Sequence, residues 1–154
     1  MPFAIVAALA LAAQTTPATA APPVDSNLEY ATPIAGEWTY AAISGGSEAT
    51  FANAAKLPQV TIRCTRATRK VQILKAASSA SPTLSVWTSA QSRSLPATFD
   101  AAGARVIAEL GAYDPLLDAI ASSRGRIGFG TPGLAALIVP PWAEVARVIE
   151  DCRV

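Results

Sequence analysis

Apolar and polar residues alternate along several stretches of this chain, which is the pattern of β-strands with one buried face. In the segment 59–64, Val60, Ile62 and Cys64 share one face, and polar side chains occupy the other. The segment 69–75 alternates in the same way and is separated from the first by a short polar stretch. Together the two segments predict an antiparallel hairpin.

Related patterns predict further strands at 37–43, 84–88, 94–99, 105–110, 127–129 and 134–139. Pro96 lacks a backbone N–H, so the strand at 94–99 is expected at a sheet edge. For 105–110 a helical turn is the alternative. The stretch 134–139 is apolar throughout, which is typical of a fully buried strand.

Two helices are predicted in the C-terminal third of the chain. Asp114 can cap a short helix that has Pro115 at its first position, and Gly125 can end it. The second helix, at 142–152, separates apolar from charged residues. Its apolar side comprises Trp142, Val145, Ala146, Val148, Ile149 and Cys152. The expected fold class is α+β, a mainly antiparallel β-sheet or sandwich with a short helix and a C-terminal amphipathic helix packed on it.

The first 20 residues have the features of an export signal. The apolar run from Phe3 to Ala13 is too short to span a hydrocarbon layer of ~30 Å, and Ala18-Thr19-Ala20 fits the pattern that signal peptidases recognise. Because no basic residue precedes the run, a short anchor helix or a buried helix is the alternative. We expect a signal peptide at 1–20, a flexible lead-in at 21–35 and a single domain at 36–154.

The expected destination is the periplasm or the cell exterior, with no stable membrane span after cleavage of the signal. Both cysteines of the chain lie on apolar faces, Cys64 in a strand and Cys152 in the last helix. In an oxidising compartment they are expected to form a disulfide that ties the helix to the sheet. Two free, buried cysteines are the alternative if the chain is not exported.

The composition excludes several kinds of catalytic site. There is no histidine, so Ser-His-Asp and Cys-His arrangements are impossible, and two thiols without histidine do not suit a metal site. The sequence has no P-loop motif, and Gly128-Phe129-Gly130 is interpreted as turn and strand glycines. We therefore expect no catalytic residue, no metal, no cofactor and no enzymatic activity. The alternative is a pair of carboxylates across a cleft. The candidate pairs are Asp100 with Asp114 and Glu150 with Asp151.

Charge is nearly balanced overall but is distributed unevenly. Twelve basic and 11 acidic residues give a formal net charge of +1, which argues against a nucleic-acid-binding protein. No acidic residue lies between Glu48 and Asp100, whereas that segment has seven cations: Lys56, Arg63, Arg66, Arg69, Lys70, Lys75 and Arg93.

The turn of the predicted hairpin is therefore a candidate site for an anionic partner. Arg63, Arg66, Arg69 and Lys70 lie in or beside it and could contact phosphates, an anionic glycan or an acidic protein surface. The alternative is that these side chains are solvated or pair with acids of the flanking segments.

The three tryptophans have different expected environments. Trp38 and Trp142 are expected to anchor the core. Trp87 lies opposite the apolar residues of its strand, so it either packs under a helix or is an exposed contact residue beside the basic hairpin.

These features together resemble the small exported VasI-type proteins associated with bacterial type VI secretion. The resemblance covers 36–152 and rests on Gly36-Glu37-Trp38, the strand from Leu57 to Cys64, Val71-Gln72-Ile73, the strand around Trp87 and the last helix ending in Cys152. It implies a β-rich exported domain, in which an early-strand cysteine is matched by one in the terminal helix, and an accessory role in the envelope without a catalytic residue.

The expected function is that of a non-catalytic, exported (periplasmic) accessory or binding protein of the bacterial envelope. Its expected partner is an unknown envelope protein or an anionic surface, and not a nucleic acid. The alternative is a ligand-binding or inhibitor domain that captures an anionic partner through the Arg63–Lys75 hairpin.

Overall fold

The computed structural model describes residue 28 and residues 30–154. Its elements are β1 (Gly36–Ile43), β2 (Gly46–Asn53), β3 (Pro58–Thr65), β4 (Lys70–Ala76), β5 (Thr83–Trp87), β6 (Ser92–Asp100), β7 (Arg105–Gly111), α1 (Pro115–Ala121), β8 (Ile127–Gly130), β9 (Leu137–Val139) and α2 (Ala143–Asp151). The signal peptide predicted at 1–20 and the first part of the predicted lead-in lie outside the described residues.

The strands form one sheet in the order β1-β2-β3-β4-β7-β6-β5-β8-β9, and each neighbouring pair is antiparallel. An α+β fold with a mainly antiparallel sheet, a short helix and a C-terminal helix is thereby confirmed. The strands belong to one continuous sheet and not to the two separate sheets of a sandwich.

The hairpin predicted from alternation is confirmed as β3 and β4, with Val60 opposite Lys75 and Cys64 opposite Val71. The segment 105–110 is confirmed as a strand, since β7 pairs with both β4 and β6. The pattern does not predict β2, because its glycine, alanine, serine and asparagine residues have low strand propensities. Pairing with β1 on one side and β3 on the other stabilises it nonetheless.

The prediction that the strand at 94–99 lies at a sheet edge is wrong. β6 lies between β5 and β7 and changes partner along its length, since residues up to Pro96 pair with β5 and residues from Ala97 pair with β7. The pairing with β7 begins only at Ala97, so the N–H that Pro96 lacks would have no partner in β7. On the side that faces β5, the N–H of Ala97 donates to Pro82 O over 2.9 Å.

The prediction of a fully buried strand at 134–139 is wrong in its first half. Only Leu137–Val139 forms a strand, and Leu134 is 50% exposed. Gly133 has a φ of 78°, and the N–H of Leu134 donates to Thr131 O over 3.2 Å. A turn therefore occupies this apolar stretch, and hydrophobicity alone does not distinguish it from a strand.

The sheet is strongly curled, because its two ends meet. In a flat sheet, eight strand spacings of about 4.8 Å would put β1 and β9 ~38 Å apart. Instead, the indole Nε1–H of Trp38 in β1 donates to Pro140 O, just after β9, over 2.8 Å. The result is a half-barrel whose concave side holds the core.

Both helices fill the concave side of this half-barrel. α2 packs against β1, β2, β3 and α1 and buries Val145, Val148 and Ile149. α1 buries Leu116, Leu117, Ala119 and Ile120. Neither helix is long and apolar enough to cross a membrane, and the described part of the chain has no other candidate.

The predicted disulfide joins α2 to the sheet. Cys64 in β3 and Cys152 at the end of α2 are bonded, with their Cα atoms 5.5 Å apart, and both are buried. The sequence separation is 88 residues, for which the chain-entropy relation gives a stabilisation of up to about 4.6 kcal/mol. That is a large share of the ~5–15 kcal/mol typical of a folded domain.

The described part of the predicted lead-in contacts the sheet. Leu28 is 8% exposed and lies over Gly128 of β8, where an added Cβ would be 3.5 Å from Leu28 Cδ1. The N–H of Ile34 donates to Ile138 O in β9 over 2.9 Å. Ordered contacts therefore begin before Gly36, where the sequence places the start of the domain.

Of the two tryptophans expected in the core, one is there. Trp38 is 4% exposed and contacts Phe51 edge to face, with ring centroids 5.5 Å apart. The prediction for Trp142 is wrong, since it is 47% exposed. Trp142 is the N-cap of α2 and has an extended backbone (φ −136°, ψ 162°), so the helical periodicity that assigned it to the apolar side does not apply.

We expect Trp38→Phe to lower the free energy of unfolding by about 1–3 kcal/mol, because it removes the hydrogen bond to Pro140 and leaves a gap in the core. Trp142→Phe, at an exposed position, is the matched control and should stay within about 0.5 kcal/mol of the original protein. Urea unfolding of both variants with the disulfide intact measures the difference. Equal effects would contradict the role of Trp38 in closing the sheet.

Candidate functional site

A groove of about 460 Å³ lies at one end of β5, where two loops meet. It is lined by residues 87–92, which run from the last residue of β5 to the first residue of β6. Arg124 and Arg126, in the loop between α1 and β8, complete the lining. Its volume is within the range of about 300–1,000 Å³ found for small-molecule sites. The groove is therefore a candidate ligand site.

Reciprocal serine hydrogen bonds join the two loops. The N–H of Ser89 donates to Ser123 Oγ over 3.1 Å, and the N–H of Arg124 donates to Ser89 Oγ over 3.0 Å. Ser123 Oγ also donates to Arg126 O over 2.8 Å. These bonds hold both loops through backbone and serine groups and do not involve the side chain of Arg124.

The connection between β5 and β6 is also rigid in itself. Thr88 Oγ1 donates to Gln91 O over 2.8 Å and accepts the N–H of Gln91 over 3.1 Å. The side-chain amide of Gln91 donates to Pro115 O at the start of α1 over 3.2 Å. These bonds fix the shape of the connection that lines the groove.

Trp87 forms one side of the groove and is half-buried. Leu84 and Val86 of the same strand are fully buried in the core, so Trp87 projects from the opposite, outer face. Its Cβ lies beside Gly128 of β8, near the side chain of Leu28. The sequence left two alternatives for Trp87, packing under a helix or exposure as a contact residue. The structure lies between them, since Trp87 is partly buried.

Small hydroxyl side chains surround Trp87 on this outer face. Ser92 is its direct cross-strand neighbour, and Ser85 and Ser94 form the next pair along β5 and β6. On the other side β8 presents Gly128 opposite Trp87 and Gly130 opposite Ser85. Since side chains directly opposite each other share a face, the three serines and Trp87 form one surface, which we call the serine face.

The groove is polar and basic. The lining residues that the structure describes carry hydroxyl, amide, indole and guanidinium groups, and none of these residues is acidic. Arg124 is exposed, and among the described residues no carboxylate forms an ion pair with it. A negatively charged group in the groove would therefore be attracted to Arg124 and Arg126.

The cations predicted at the β3–β4 hairpin are largely engaged within the protein. Arg63 contacts Glu48 through two nitrogens, over 2.8 and 2.9 Å, and Lys70 lies 3.6 Å from Glu109. Burial raises the pKa of Asp151, but hydrogen bonds and nearby positive charges, including that of Arg66, outweigh burial. The pKa of Asp151 is therefore lowered. Arg66, Arg69 and Lys70 are exposed at the turn.

The structure does not bring Trp87 beside this hairpin. Trp87 lies in β5, and two strands, β7 and β6, separate β5 from β4. Three strand spacings of about 4.8 Å put β4 and β5 ~14 Å apart. The basic turn and Trp87 are therefore separate surfaces at the same end of the sheet.

Two further cations of the basic segment are not surface charges of the hairpin. Lys75 is 7% exposed and its Nζ donates to Ala76 O over 3.3 Å, and burial lowers its pKa. Arg93 binds both oxygens of Asp114, over 2.7 and 2.8 Å. Lys75 continues the face of Val71 and Ile73, so its burial could have been read from the alternation.

Neither carboxylate pair considered for acid-base catalysis faces a shared cleft. Asp100 binds Arg105 at the start of β7, whereas Asp114 follows the end of that strand, ~20 Å away at about 3.4 Å per residue. Glu150 binds Arg153 over 3.1 Å, and Asp151 accepts the Tyr40 hydroxyl over 2.7 Å. Residues 28 and 30–154 contain no cluster of three or more potential metal ligands among His, Cys, Asp and Glu.

Sequence reasoning misses Arg124 and Arg126, because they lie far from Trp87 in the chain. Only the antiparallel pairing of β5 with β8 brings them next to it. The one available signal is the short Ser-Arg-Gly-Arg stretch at 123–126, which is too brief to distinguish from an ordinary loop.

Comparisons with protein-family models, curated proteins and solved structures return no match. Any function proposed for this chain therefore rests on its own residues.

Asp114 joins α1 to β6. It caps α1 by accepting the N–H of Leu116 over 2.9 Å, and it binds Arg93 of β6. Burial raises the pKa of Asp114, but the hydrogen bonds from Arg93 and Leu116, together with the charge of Arg93, lower it overall. The ionised form therefore stabilises the fold above the unfolded-state pKa of about 3.9, and this stabilisation is lost as the pH falls through the lower, folded-state pKa.

We expect Asp114→Asn to reduce the acid sensitivity of the fold, because asparagine keeps the capping oxygen but does not titrate. The free energy of unfolding of the variant should fall less steeply than that of the original protein between about pH 5 and pH 2. Urea unfolding at a series of pH values measures both slopes. Parallel curves would contradict a stabilising charge on Asp114.

Proposed function

We propose that this chain is a non-catalytic binding protein, exported to the bacterial envelope or beyond, which binds an anionic partner in the groove beside Trp87. The observation that carries the proposal is the groove itself, where a partly buried tryptophan, two arginines and several hydroxyl and amide groups converge and the described lining residues include no acid. Such a lining suits binding, since aromatic and arginine side chains provide most of the free energy at many contact sites.

Export is supported by the position of the disulfide. Cys64 and Cys152 are buried and bonded between β3 and the last helix, and stable structural disulfides are typical of oxidising compartments. The apolar run and the Ala18-Thr19-Ala20 pattern at the start of the sequence agree with that destination. The resemblance to exported VasI-type accessory proteins supports an envelope role in the same way.

The groove is a better candidate than the basic hairpin for the anionic partner. At the hairpin, Glu48 and Glu109 already pair with Arg63 and Lys70, so a partner that used these two cations would have to displace protein carboxylates. Exposed ion pairs of this kind add little affinity when they are exchanged. Arg66 and Arg69 are exposed without an aromatic neighbour in their turn, whereas at the groove Arg124 forms no ion pair with a described residue and Trp87 adds apolar contact area.

We expect the protein isolated from its own cells to lack the first 20 residues and to have no alkylatable sulfur until a reductant is added, because a cleaved signal and a buried disulfide both follow from export. Mass spectrometry after alkylation, with and without prior reduction in denaturant, measures both. A chain that retains Met1 and accepts two alkyl groups without reduction would contradict export.

We expect the variant Trp87→Ala with Arg124→Glu to lose retention of its partner, because the change removes the aromatic contact and reverses a charge in the groove. Immobilised, disulfide-intact protein is incubated with an envelope extract of its own cells, and the retained components are compared by mass spectrometry and by sugar analysis. The hairpin variant Arg66→Glu with Arg69→Glu is the control, since it makes a comparable surface change outside the groove.

Three outcomes decide the proposal. Components that the original protein and the hairpin variant retain, but the groove variant does not, support binding in the groove. If the hairpin variant loses them and the groove variant keeps them, the partner binds the basic turn instead. Retention that is the same for all three proteins would contradict both sites. Circular dichroism and an intact disulfide confirm that each variant is folded.

A further inference from the structure

We infer that the ligand of the groove is a saccharide chain that carries negatively charged groups, either carboxylate or phosphate. The inference rests on the proposed function and specifies its ligand. It follows from three features that occur together on one face of β5, β6 and β8: a half-exposed indole, an array of small hydroxyl groups, and two arginines at the end of the array.

The indole of Trp87 provides an apolar surface at the edge of a polar groove. One face of a pyranose ring presents mainly C–H bonds, which are slightly positive and pack well on the negative face of an aromatic ring. Among residues 28 and 30–154, Trp87 is the only aromatic residue that lines the groove. A single platform without a second ring facing it suits a sugar, which offers hydroxyl groups to its other contacts, more than a flat base held between two rings.

The serine face matches a ligand that is rich in hydroxyl groups. Ser92 lies directly across from Trp87, and Ser85 lies across from Ser94, so the hydroxyls are about 5 Å apart across the strands and ~7 Å apart along them. The structure gives the side chains of these three serines no hydrogen-bond partner within the described residues. They are free to donate to and accept from sugar hydroxyls.

The surface extends beyond one sugar ring. A second small cavity of about 110 Å³ adjoins the groove and is lined by Ser85, Ser92 and Ser94 among others. Beside it, Gly130 leaves the outer face of β8 open, since an added Cβ would contact only Ser85, at 3.9 Å. The path from Arg124 past Trp87 to Gly130 is therefore suited to a chain and not only to a monosaccharide.

The arginines select for charge. Arg124 and Arg126 lie at the loop end of the groove, and a guanidinium group binds a carboxylate or a phosphate through two parallel N–H bonds. A neutral saccharide would not form such a pair with Arg124, which has no ion pair among the described residues. We therefore expect the acidic ligand to bind at least about tenfold more tightly than its neutral counterpart.

Isothermal titration calorimetry on the disulfide-intact protein tests the inference. The acidic probes are trigalacturonic acid, a hyaluronan tetrasaccharide and glucose 6-phosphate. The neutral probes are the methyl ester of trigalacturonic acid and glucose, and ATP and inorganic phosphate represent anions without an oligosaccharide. We expect at least one acidic saccharide to bind, with an affinity at least tenfold above that of its neutral counterpart and above those of ATP and phosphate. The acidic probe that binds distinguishes carboxylate from phosphate.

Variants then locate the bound saccharide. Arg124→Ala should weaken binding of the acidic probe about tenfold while changing binding of the neutral probe little, and Trp87→Ala should weaken both. Gly130→Thr places a branched side chain on the open surface of β8 and should weaken the longer probes more than glucose 6-phosphate. Gly111→Thr is its matched control and should leave binding unchanged. Gly111 also lies in a strand, and a Cβ added there has no atom within 4 Å.

The outcomes separate this inference from the proposed function. If none of the acidic saccharides binds, or if ATP binds more tightly than all of them, the inference is wrong. The groove would remain a binding site if the groove variant still loses an envelope component that the hairpin variant retains. If a saccharide binds but Trp87→Ala, Arg124→Ala and Gly130→Thr all leave its affinity unchanged, the site is elsewhere and the inference is also wrong.

Discussion

The fold depends on the attachment of α2 to the inside of a curled sheet. A sheet of nine strands has too much apolar surface on one face to remain flat in water, and burial of that face requires either a second layer or curvature. Here both occur, since α2 packs on β1 to β3 while Trp38 brings β1 to the end of β9. The Cys64–Cys152 disulfide fixes this helix against β3. One covalent bond therefore attaches α2 to the sheet, and one hydrogen bond, from Trp38 to Pro140, joins the two ends of the sheet.

This arrangement determines what the outer face can do. With the core on the concave side, much of the convex side faces solvent, apart from the part of β8 that Leu28 covers, and several of its cross-strand partners satisfy one another. Arg63 is opposite Glu48 and binds it, Thr50 is opposite Thr61 and shares a hydrogen bond, and Gln72 is opposite Glu109 and donates to it. The exception is the serine face, where the partners are serines, glycines and Trp87. A surface whose polar groups do not satisfy one another is available for a ligand.

The sequence predicts the local features of this protein and misses those that depend on distant partners. The β3–β4 hairpin, the cap of α1 by Asp114 and the burial of both cysteines follow from alternation, capping and amphipathicity within short segments. The position of β6 does not, because whether Pro96 disrupts a ladder depends on where the pairing with β7 stops. Trp142 is misplaced because the cap residue of a helix has left the helical geometry from which its orientation is inferred.

The candidate site shows the same limit in the distribution of charge. All charged residues between Glu48 and Asp100 are cations, so this stretch is the most basic part of the sequence. In the sheet, however, Glu48 lies opposite Arg63 and binds it, and Glu109 of the neighbouring strand lies 3.6 Å from Lys70, because antiparallel pairing joins segments that are far apart in sequence. The loop before β8 has only two arginines, but no carboxylate is paired across from Arg124 among the described residues. Whether a cation is paired therefore depends on strand order as well as on the local density of charge, and this is why we propose the groove beside Trp87, and not the hairpin, as the anionic site.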